Sequence, residues 1–259
     1  MIFILGANGF VGSGFVRYCH RHNLEYVPVT RENYSTYKGQ KCEILVNAAG
    51  NSSKLLALQE PLQDFDLNVR ETLCTLFDFF PSKYVYLSSV DVYNNCSNPD
   101  HNAENIPIVP TKVSRYGLNK YVGELLVQQY ASDFLIIRLG GMVGPGLRKN
   151  AIYDLTHGGK LYVHPKSAYQ YLHSDQVAQM VMHLARRMST GDVINLCGDG
   201  ILELSLVQQW LEQPTLASKL RRERYEINIS KLKTIMSVPT SEGAVRRYIY
   251  ENRDEMRGK

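Results

Sequence analysis

The 259-residue sequence predicts an α/β protein built on a doubly wound parallel sheet, and two observations carry this prediction. Short apolar runs alternate with helical patterns along most of the chain, which is typical of parallel strands covered by helices on both faces. The chain also opens on such a run, residues 1–5, and a glycine turn and a helical pattern follow it directly. Strands that alternate with helices indicate a sheet whose strands run parallel.

The individual elements follow from the same patterns. The apolar runs predict strands at 2–5, 26–29, 44–48, 84–87, 134–139 and 193–196. The helical patterns predict helices at 13–22, 64–80, 116–131, 174–188 and 204–212. The helix at 116–131 shows its pattern best, with one face formed by Leu118, Tyr121, Val122, Leu125, Leu126 and Tyr130.

A small second lobe is indicated near the C-terminus. Glycine and proline are frequent at 144–150, and residues 213–240 show no regular pattern. We therefore predict a core of residues 1–141 with 169–198, and a lobe of residues 142–168 with 199–259.

Composition bounds the class of protein. A hydrophobic fraction of 44% and a charged fraction of 21% are ordinary for a soluble globular enzyme. No apolar run approaches the roughly 20 residues of a membrane span, and the opening strand does not resemble a signal peptide. We therefore expect a cytoplasmic protein with no membrane partner. The five cysteines show no metal-ligand spacing, so we expect buried reduced thiols and no metal site: Cys19, Cys42, Cys74, Cys96 and Cys197.

The net charge of +4 does not indicate a nucleic-acid partner. The basic residues cluster only modestly, at 221–224 and 246–247, and a nucleic-acid surface would need more charge with aromatic residues between. We expect these clusters to lie on solvated faces, and an anionic small substrate is the alternative.

The glycine turn predicts a site for a dinucleotide cofactor. Gly6, Gly9 and Gly12 form a G-x-x-G-x-x-G pattern between the first strand and the first helix. A helix N-terminus presents unpaired backbone N–H groups, which bind a pyrophosphate. Glycine is needed there because a Cβ would block the close approach of the cofactor.

A second pattern predicts proton transfer to a carbonyl or from a hydroxyl. Tyr116 and Lys120 are four residues apart on the helix at 116–131, so their side chains share one face. An ammonium beside a phenol favours the phenolate, which adapts tyrosine to acid–base work. Ser89 follows the strand at 84–87, at the end that parallel sheets present to ligands, and can bind a substrate oxygen.

Several motifs in order resemble the extended short-chain dehydrogenase/reductases, the NAD-dependent epimerase/dehydratase family, which acts mainly on nucleotide sugars and has a Rossmann-type fold. The matching segments are the glycine turn, 47–50, 66–69, 88–93, the Tyr116–Lys120 pair, 138–146 and 171–178. The resemblance therefore covers nearly the whole chain.

This resemblance implies roles for the residues of each motif. Tyr116 would be the general acid/base, Lys120 would lower its pKa and hold the nicotinamide ribose, and Ser89 would bind the reacting oxygen. Asp91 would be a second acid/base or a structural group that closes the strand turn. The cofactor-binding residues would be Gly6, Asn8, Gly9, Phe10, Val11, Gly12, Thr30, Arg31, Asn47, Ala48 and Ala49, together with Tyr116 and Lys120.

The choice of cofactor follows from charge at the end of the second strand. NAD sites place a carboxylate there, whereas NADP sites need a cation for the 2′-phosphate. Thr30 occupies the acidic position and Arg31 follows it, which favours NADP over NAD, although Glu32 stands one residue further on.

The chain also departs from the family pattern. The dehydratase branch has an Asp-Glu pair after its hydroxyl residue, and here Val90 replaces the first carboxylate, which disfavours simple dehydration. Gly141 and Tyr169 replace an asparagine and an arginine that hold the sugar diphosphate in the family. The substrate-binding candidates are therefore Asp91, Gly141, Arg148 and Tyr169, with Lys149, Arg222 or Arg224 as substitutes for the lost contacts.

Three hypotheses follow for the function. The first is an NADP(H)-dependent oxidoreductase that reduces a keto group on a sugar or nucleotide sugar. The second is a nucleotide-sugar epimerase that retains NAD. The third is a non-catalytic cofactor-binding sensor or scaffold, against which the presence of Ser89, Tyr116 and Lys120 argues. The resemblance also implies a homodimer formed through the helix that carries Tyr116.

Overall fold

The computed structural model describes residues 1–188, 190–214 and 219–253. The chain divides into two compact units. The first unit comprises Met1–Asn94, Glu104–Leu139 and Asp175–Ile194, and the second comprises Asn95–Ala103, Gly140–Ser174 and Asn195–Lys259.

The strands of the described residues are, in chain order, β1 (Ile2–Leu5), β2 (Tyr26–Val29), β3 (Lys41–Asn47), β4 (Phe80–Ser89), β5 (Phe134–Leu139), β6 (Gly141–Val143), β7 (Ala168–Tyr169), β8 (Tyr171–His173), β9 (Asp192–Leu196) and β10 (Leu202–Glu203). Six of them form one sheet in the order β2-β1-β3-β4-β5-β9. The pairs that β1 forms with β2 and β3, and that β4 forms with β3 and β5, are parallel. The fold class that the sequence predicts, a Rossmann-type doubly wound sheet, is confirmed.

The α-helices of the described residues are α1 (Phe10–Arg21), α2 (Tyr34–Tyr37), α3 (Lys54–Gln59), α4 (Pro61–Phe65), α5 (Glu71–Asp78), α6 (Arg115–Tyr130), α7 (Ala151–Thr156), α8 (Ser174–Arg187), α9 (Leu204–Trp210), α10 (Ser230–Ile235) and α11 (Ser241–Glu251). The predicted helix at 64–80 is divided: a π-helical turn, Asp66–Arg70, joins α4 to α5. The other predicted strands and helices each overlap an observed one.

The sheet supplies the core of the first unit. All four residues of β1 are buried, as expected for a strand covered on both faces. The cluster around it is aromatic and aliphatic, and it comprises Phe3, Leu5, Val29, Cys42, Leu45, Phe79, Tyr84, Tyr86, Val127 and Ile136.

The buried face of α6 is not the apolar face that the sequence pattern identifies. The buried residues are Tyr116, Gly117, Lys120, Gly123, Glu124 and Val127. Leu118, Leu125 and Tyr130, which lie on that apolar face, are exposed. The glycines explain the difference, because a Cβ at Gly123 would collide with the hydroxyl of Tyr86 and only a small residue permits this close approach.

The second unit has its own small sheets and core. Strands β6 and β8 pair in parallel, and β7 pairs with β10 antiparallel. Its buried cluster comprises Val143, Ile152, Leu155, Tyr171, Leu202, Leu204, Val207, Ala244, Val245 and Tyr248. The stretch at 213–240, which shows no pattern in the sequence, contains α10 within its described part.

Three of the five cysteines fit the prediction of buried thiols. Cys19, Cys42 and Cys197 are buried, whereas Cys74 is exposed and Cys96 is half-buried. Burial raises the pKa of the Cys19 and Cys42 thiols to about 11, so both stay protonated at neutral pH. Among the described residues, no helix is both long and apolar enough to cross a membrane.

Candidate active site

The glycine turn at the end of β1 is shaped by close backbone packing. Gly6 has φ +70°, a conformation that favours glycine, and a Cβ there would lie 2.8 Å from the Ala48 carbonyl oxygen. The N–H of Gly9 donates to the carbonyl of Gly6 at 2.9 Å, which closes the turn. The turn therefore brings the start of α1 close to the segment that follows β3.

The start of α1 fits an anion. Gly9 is the N-cap and has no side chain to occupy the first N–H groups, and the first turn holds no acidic residue. Asn8 and Gly9 are exposed, and Phe10 and Val11 are half-buried. Because a helix N-terminus carries partial positive charge, this 12-residue helix can hold the pyrophosphate of a dinucleotide with its backbone.

The strand register brings the other predicted cofactor residues to the same edge. Leu5 is paired with Val29 and with Asn47, so Gly6, Thr30 and Ala48 follow at equivalent positions. The side chain of Asn47 points inward, because its amide donates to the Tyr84 hydroxyl at 2.7 Å and its oxygen accepts from the N–H of Ala49 at 3.1 Å. Asn47 therefore shapes the segment of Ala48 and Ala49.

The end of β2 carries both a cation and a carboxylate. The N–H of Thr30 donates to the Asn33 side chain at 2.7 Å, which fixes the turn, and Arg31 is exposed. The pKa of Glu32 is lowered, first by a hydrogen bond from the Thr30 side chain and also by the charge of Arg31. Glu32 is therefore ionised at neutral pH and is in contact with Thr30. The sequence showed Glu32 near the end of the strand but did not predict this contact.

Ser89 and Tyr116 are brought together by two short turns. β4 ends at Ser89, and a 3₁₀ turn, Val90–Val92, follows it. α6 begins after Ser114, whose hydroxyl accepts from the N–H of Gly117 at 3.0 Å. A Cβ at Gly117 would collide with the carbonyl of Asp91, so the glycine lets the start of α6 lie directly against the 3₁₀ turn.

The environment of Tyr116 favours the neutral phenol. Burial raises the pKa of Tyr116 most, and the negative charge of Asp91 raises it further. A hydrogen bond from Ser89 and the positive charge of Lys54 lower the pKa, and the charge of Asp64 raises it. Burial therefore outweighs the charge of Lys54, and the pKa of the Tyr116 phenol is raised overall.

Lys120 is buried one helical turn after Tyr116. Its ammonium donates to the Leu87 carbonyl at 3.0 Å and lies 5.2 Å from the centre of the Tyr86 ring. Burial lowers the pKa of Lys120 to about 8, while the charges of Asp64 and Glu124 raise it. Lys120 is therefore largely protonated at neutral pH although it is desolvated.

A buried carboxylate that sequence reasoning missed supports this charge. Asp64 on α4 accepts hydrogen bonds from three asparagine amides: Asn51 at 2.7 Å, Asn68 at 2.6 Å and Asn119 at 2.7 Å. Asn119 directly precedes Lys120 on α6. In the sequence, the position of Asn119 next to Lys120 is the one signal of this hydrogen-bonded group. Nothing in residues 61–65 marks Asp64 as buried.

A buried ion pair, also missed, lies beneath the site. Arg138 on β5 donates to Glu124 on α6 through Nε at 3.0 Å and Nη2 at 2.7 Å, and the hydroxyl of Ser88 donates to the same carboxylate at 2.5 Å. Arg138 also donates to the Tyr93 hydroxyl at 2.8 Å. Glu124 lies four residues after Lys120, and this spacing could have marked it as a member of the same buried helix face.

Asp91, a predicted substrate-binding residue, is also part of an ion pair. Its carboxylate accepts from the Lys54 ammonium at 2.7 Å and from the Ser89 hydroxyl at 3.2 Å. Ser89, Asp91, Tyr116 and Lys120 are therefore near one another in the first unit, and Lys54 joins them.

The other predicted substrate residues belong to the second unit. Gly141 begins β6, and Arg148 is exposed in the segment before α7. Tyr169 donates to Glu223 at 2.9 Å and stacks on Tyr225 with ring centres 5.6 Å apart. Among the described residues, no group of three histidine, cysteine or acidic side chains could hold a metal ion.

The fold and these residues define an α/β dinucleotide-binding protein with a Ser-Tyr-Lys centre, and comparison with known proteins gives its family. Residues 2–197 match the model of the NAD dependent epimerase/dehydratase family. The chain belongs to the NAD-dependent epimerase/dehydratase family. No curated protein sequence matches it.

Solved structures support the fold. RMD from Pseudomonas aeruginosa, complexed with NADPH, is 17% identical with a TM-score of 0.84 over 98% of this chain and 99% of that chain. MoeE5, in complex with UDP-glucose and NAD, is 16% identical with a TM-score of 0.81 over the same shares. dTDP-glucose 4,6-dehydratase from Bacillus anthracis, in complex with NAD, is 17% identical with a TM-score of 0.77 over 99% and 97%.

The depressed pKa of Lys120 gives a prediction about stability. Below pH 8 the lysine is charged in the folded and the unfolded chain, so the folded state bears the cost of burying the charge. We expect Lys120→Met to raise the free energy of unfolding at pH 7 by roughly 1–3 kcal/mol, measured by urea denaturation.

The stability gained by Lys120→Met should shrink as the pH rises from about 8 towards the ordinary lysine pKa of 10.5. In that range Lys120 loses its proton in the folded parent before it does so in the unfolded chain, which stabilises the parent. Lys112→Met, at an exposed position, is the control and should show no such pH dependence. A Lys120→Met variant that is less stable than the parent at pH 7 would contradict the assignment.

Proposed function

We propose that the chain is an NADP(H)-dependent oxidoreductase that reduces a keto group on a sugar or nucleotide sugar. The observation that carries the proposal is the proximity of Ser89, Asp91 and Tyr116, with Lys120 one turn further along α6. The glycine turn and the family membership support a nicotinamide cofactor. The proposed substrate and cofactor are cytoplasmic metabolites, and we expect the chain to act there.

The residues of the site divide the work of reduction. When bound, a nicotinamide cofactor would supply the hydride for the carbonyl carbon. Ser89 donates a hydrogen bond to the carbonyl oxygen, and Tyr116 gives its phenolic proton to that oxygen, so a hydroxyl forms. The raised pKa of Tyr116 keeps the phenol protonated at neutral pH, so the proton that the step needs is present. Lys120 would hold the nicotinamide ribose and would offset the charge of the phenolate that remains.

A second candidate is a nucleotide-sugar epimerase that retains NAD. The contact between Thr30 and Glu32 favours it, because it places a carboxylate at the end of β2, where NAD sites bind the ribose hydroxyls. MoeE5, which has the same fold, was solved with NAD and UDP-glucose. The same Ser89, Tyr116 and Lys120 would serve both reactions, so the cofactor distinguishes them.

We also propose a substrate-binding role for residues 142–168 and 199–259. Arg148 offers an exposed guanidinium, which suits a phosphate or carboxylate. Gly141 and Tyr169 would also bind the substrate. They lie at the ends of the ranges 1–141 and 169–198, which would otherwise hold the cofactor.

The catalytic assignment of Tyr116 is tested by Tyr116→Phe. We expect turnover to fall by on the order of a thousandfold or more, with cofactor affinity nearly unchanged, because the variant loses only the proton donor. Steady-state kinetics with a panel of keto-sugars and nucleotide sugars, and fluorescence titration with NADPH, measure the two quantities. Tyr130→Phe, on the exposed side of the same helix, is the control. Unchanged turnover in Tyr116→Phe would overturn the assignment.

The cofactor proposal is tested by Arg31→Ala. If Arg31 binds the 2′-phosphate, affinity for NADPH should fall by about tenfold to a hundredfold while affinity for NADH changes little. Titration of the parent, of Arg31→Ala and of the control Arg70→Ala, which alters an exposed ion pair with Asp66, measures this. Equal affinities in Arg31→Ala and the parent, or NAD that remains bound through purification, would favour the epimerase.

We propose a homodimer formed through an apolar surface on α3, α4 and α6. The surface comprises Leu58, Leu62, Phe65, Leu118 and Leu125, all exposed. Such a cluster of exposed apolar side chains marks an interaction site in a soluble protein.

Light scattering after size exclusion should therefore give twice the chain mass. Leu62→Lys, at a residue that is 82% exposed, should give the monomer mass, whereas Tyr250→Lys on α11 should not. A monomeric parent protein would refute the proposal.

A further inference from the structure

The ion pair between Lys54 and Asp91 lies beside the groups to which the proposed function assigns the chemistry. Lys54 is the first residue of α3, and its ammonium is 2.7 Å from Asp91 Oδ1. The lysine side chain is half-exposed and the Asp91 side chain is largely buried. The two residues are 37 positions apart, so the fold rather than local sequence brings them together.

The second oxygen of Asp91 competes for the proton of Ser89. The Ser89 hydroxyl donates to Asp91 Oδ2 at 3.2 Å, and it also lies within hydrogen-bonding reach of the Tyr116 oxygen. A hydroxyl has one proton to donate. A bare carboxylate at Asp91 would therefore hold the Ser89 proton and repel negative charge that develops on Tyr116 or on a substrate oxygen.

We propose that Lys54 is a positioning residue for the reaction proposed above: it holds Asp91 as an ion pair and thereby leaves the Ser89 proton for Tyr116 or the substrate oxygen. Lys54 touches neither reacting atom in this assignment and acts through Asp91.

The charges around Tyr116 define how the pair acts. Asp91 faces the phenol from the 3₁₀ turn, Lys54 from α3 and Asp64 from α4, and Lys120 lies one turn further along α6. Asp91 raises the pKa of Tyr116 and Lys54 lowers it. Removing Lys54 should therefore raise the pKa of Tyr116, and removing Asp91 should lower it. When both are removed, the two shifts should nearly cancel.

The test measures the Tyr116 titration directly. The protein is labelled with 3-fluorotyrosine, whose phenol is more acidic than that of tyrosine, and followed by ¹⁹F NMR against pH. Tyr116→Phe assigns the resonance among the 17 tyrosines. The compared variants are Lys54→Met, Asp91→Asn, the double variant and Lys54→Arg.

We expect Lys54→Met to raise the titration midpoint and Asp91→Asn to lower it, each by about one pH unit, with the double variant between them. Lys54→Arg, which keeps the charge, should restore the parent midpoint. Lys38→Met is the matched control, because it breaks an ion pair of similar exposure with Asp78 at 2.8 Å. If the midpoint of Tyr116 in the parent lies above the accessible pH range, the midpoint in Asp91→Asn must still be lower than that in the double variant.

Equal midpoints in Asp91→Asn and the double variant, or shifts of the same sign in the two single variants, would overturn the proposal. A resonance that moves in none of the variants would also overturn it. The measurement needs no turnover, so it is independent of the proposed function. If Tyr116→Phe keeps its turnover, the proposed function fails while the coupling of Lys54 to Tyr116 is still decided by NMR.

The kinetic arm connects the coupling to the reaction. With a substrate that the parent turns over, Lys54→Met should slow oxidation of the hydroxyl product by about tenfold at pH 8, and the double variant should recover part of the loss. Unchanged kinetics in Lys54→Met would show that the ion pair does not act on the reaction and would contradict the positioning role.

Discussion

The geometry of the site depends on one buried ion pair, Glu124 with Arg138. It joins α6 to β5 and, through the Ser88 hydroxyl, to the end of β4 next to Ser89. Both side chains are almost fully buried, and removing one partner of such a pair leaves an uncompensated charge that costs about 3–5 kcal/mol. The helix that carries Tyr116 is therefore held against the strand end that carries Ser89, and the two hydroxyl groups meet in a fixed arrangement.

The same low-dielectric surroundings set the charges of the site. Burial raises the pKa of Tyr116 and lowers that of Lys120, so both would tend towards their neutral forms without compensation. The charge of Asp64 raises the pKa of Lys120, against the effect of burial, and it also raises the pKa of Tyr116. Asp91 raises the pKa of Tyr116 as well, whereas Lys54 lowers it. Burial and the two carboxylates outweigh the Lys54 ammonium, so the Tyr116 phenol stays protonated at neutral pH.

Local sequence patterns predicted the parts of the structure that local physics determines. The glycine turn, the strand that ends at Ser89 and the helical pairing of Tyr116 with Lys120 follow from short-range geometry. Asp64 and Lys54 could not be predicted, because each becomes important only through contacts with distant segments. The buried face of α6 could not be predicted, because helical periodicity identifies an apolar face but not which face the sheet covers. There, Gly117 and Gly123 permit a closer approach than leucine would.

The central claim is that the turn from Gly6 to Gly12 holds a nicotinamide dinucleotide for this centre. Isothermal titration of the protein with NADPH, NADP⁺, NADH and NAD⁺ tests it most directly, alongside a Gly9→Val variant. A Cβ at Gly9 meets the Gly6 carbonyl oxygen at 3.1 Å, so the turn must shift by a few tenths of an ångström, and the added side chain should cover the start of α1. We expect micromolar or tighter binding of at least one dinucleotide, weakened at least tenfold in a variant that circular dichroism shows to be folded. Failure of all four to bind, or equal binding by the variant, would contradict the account.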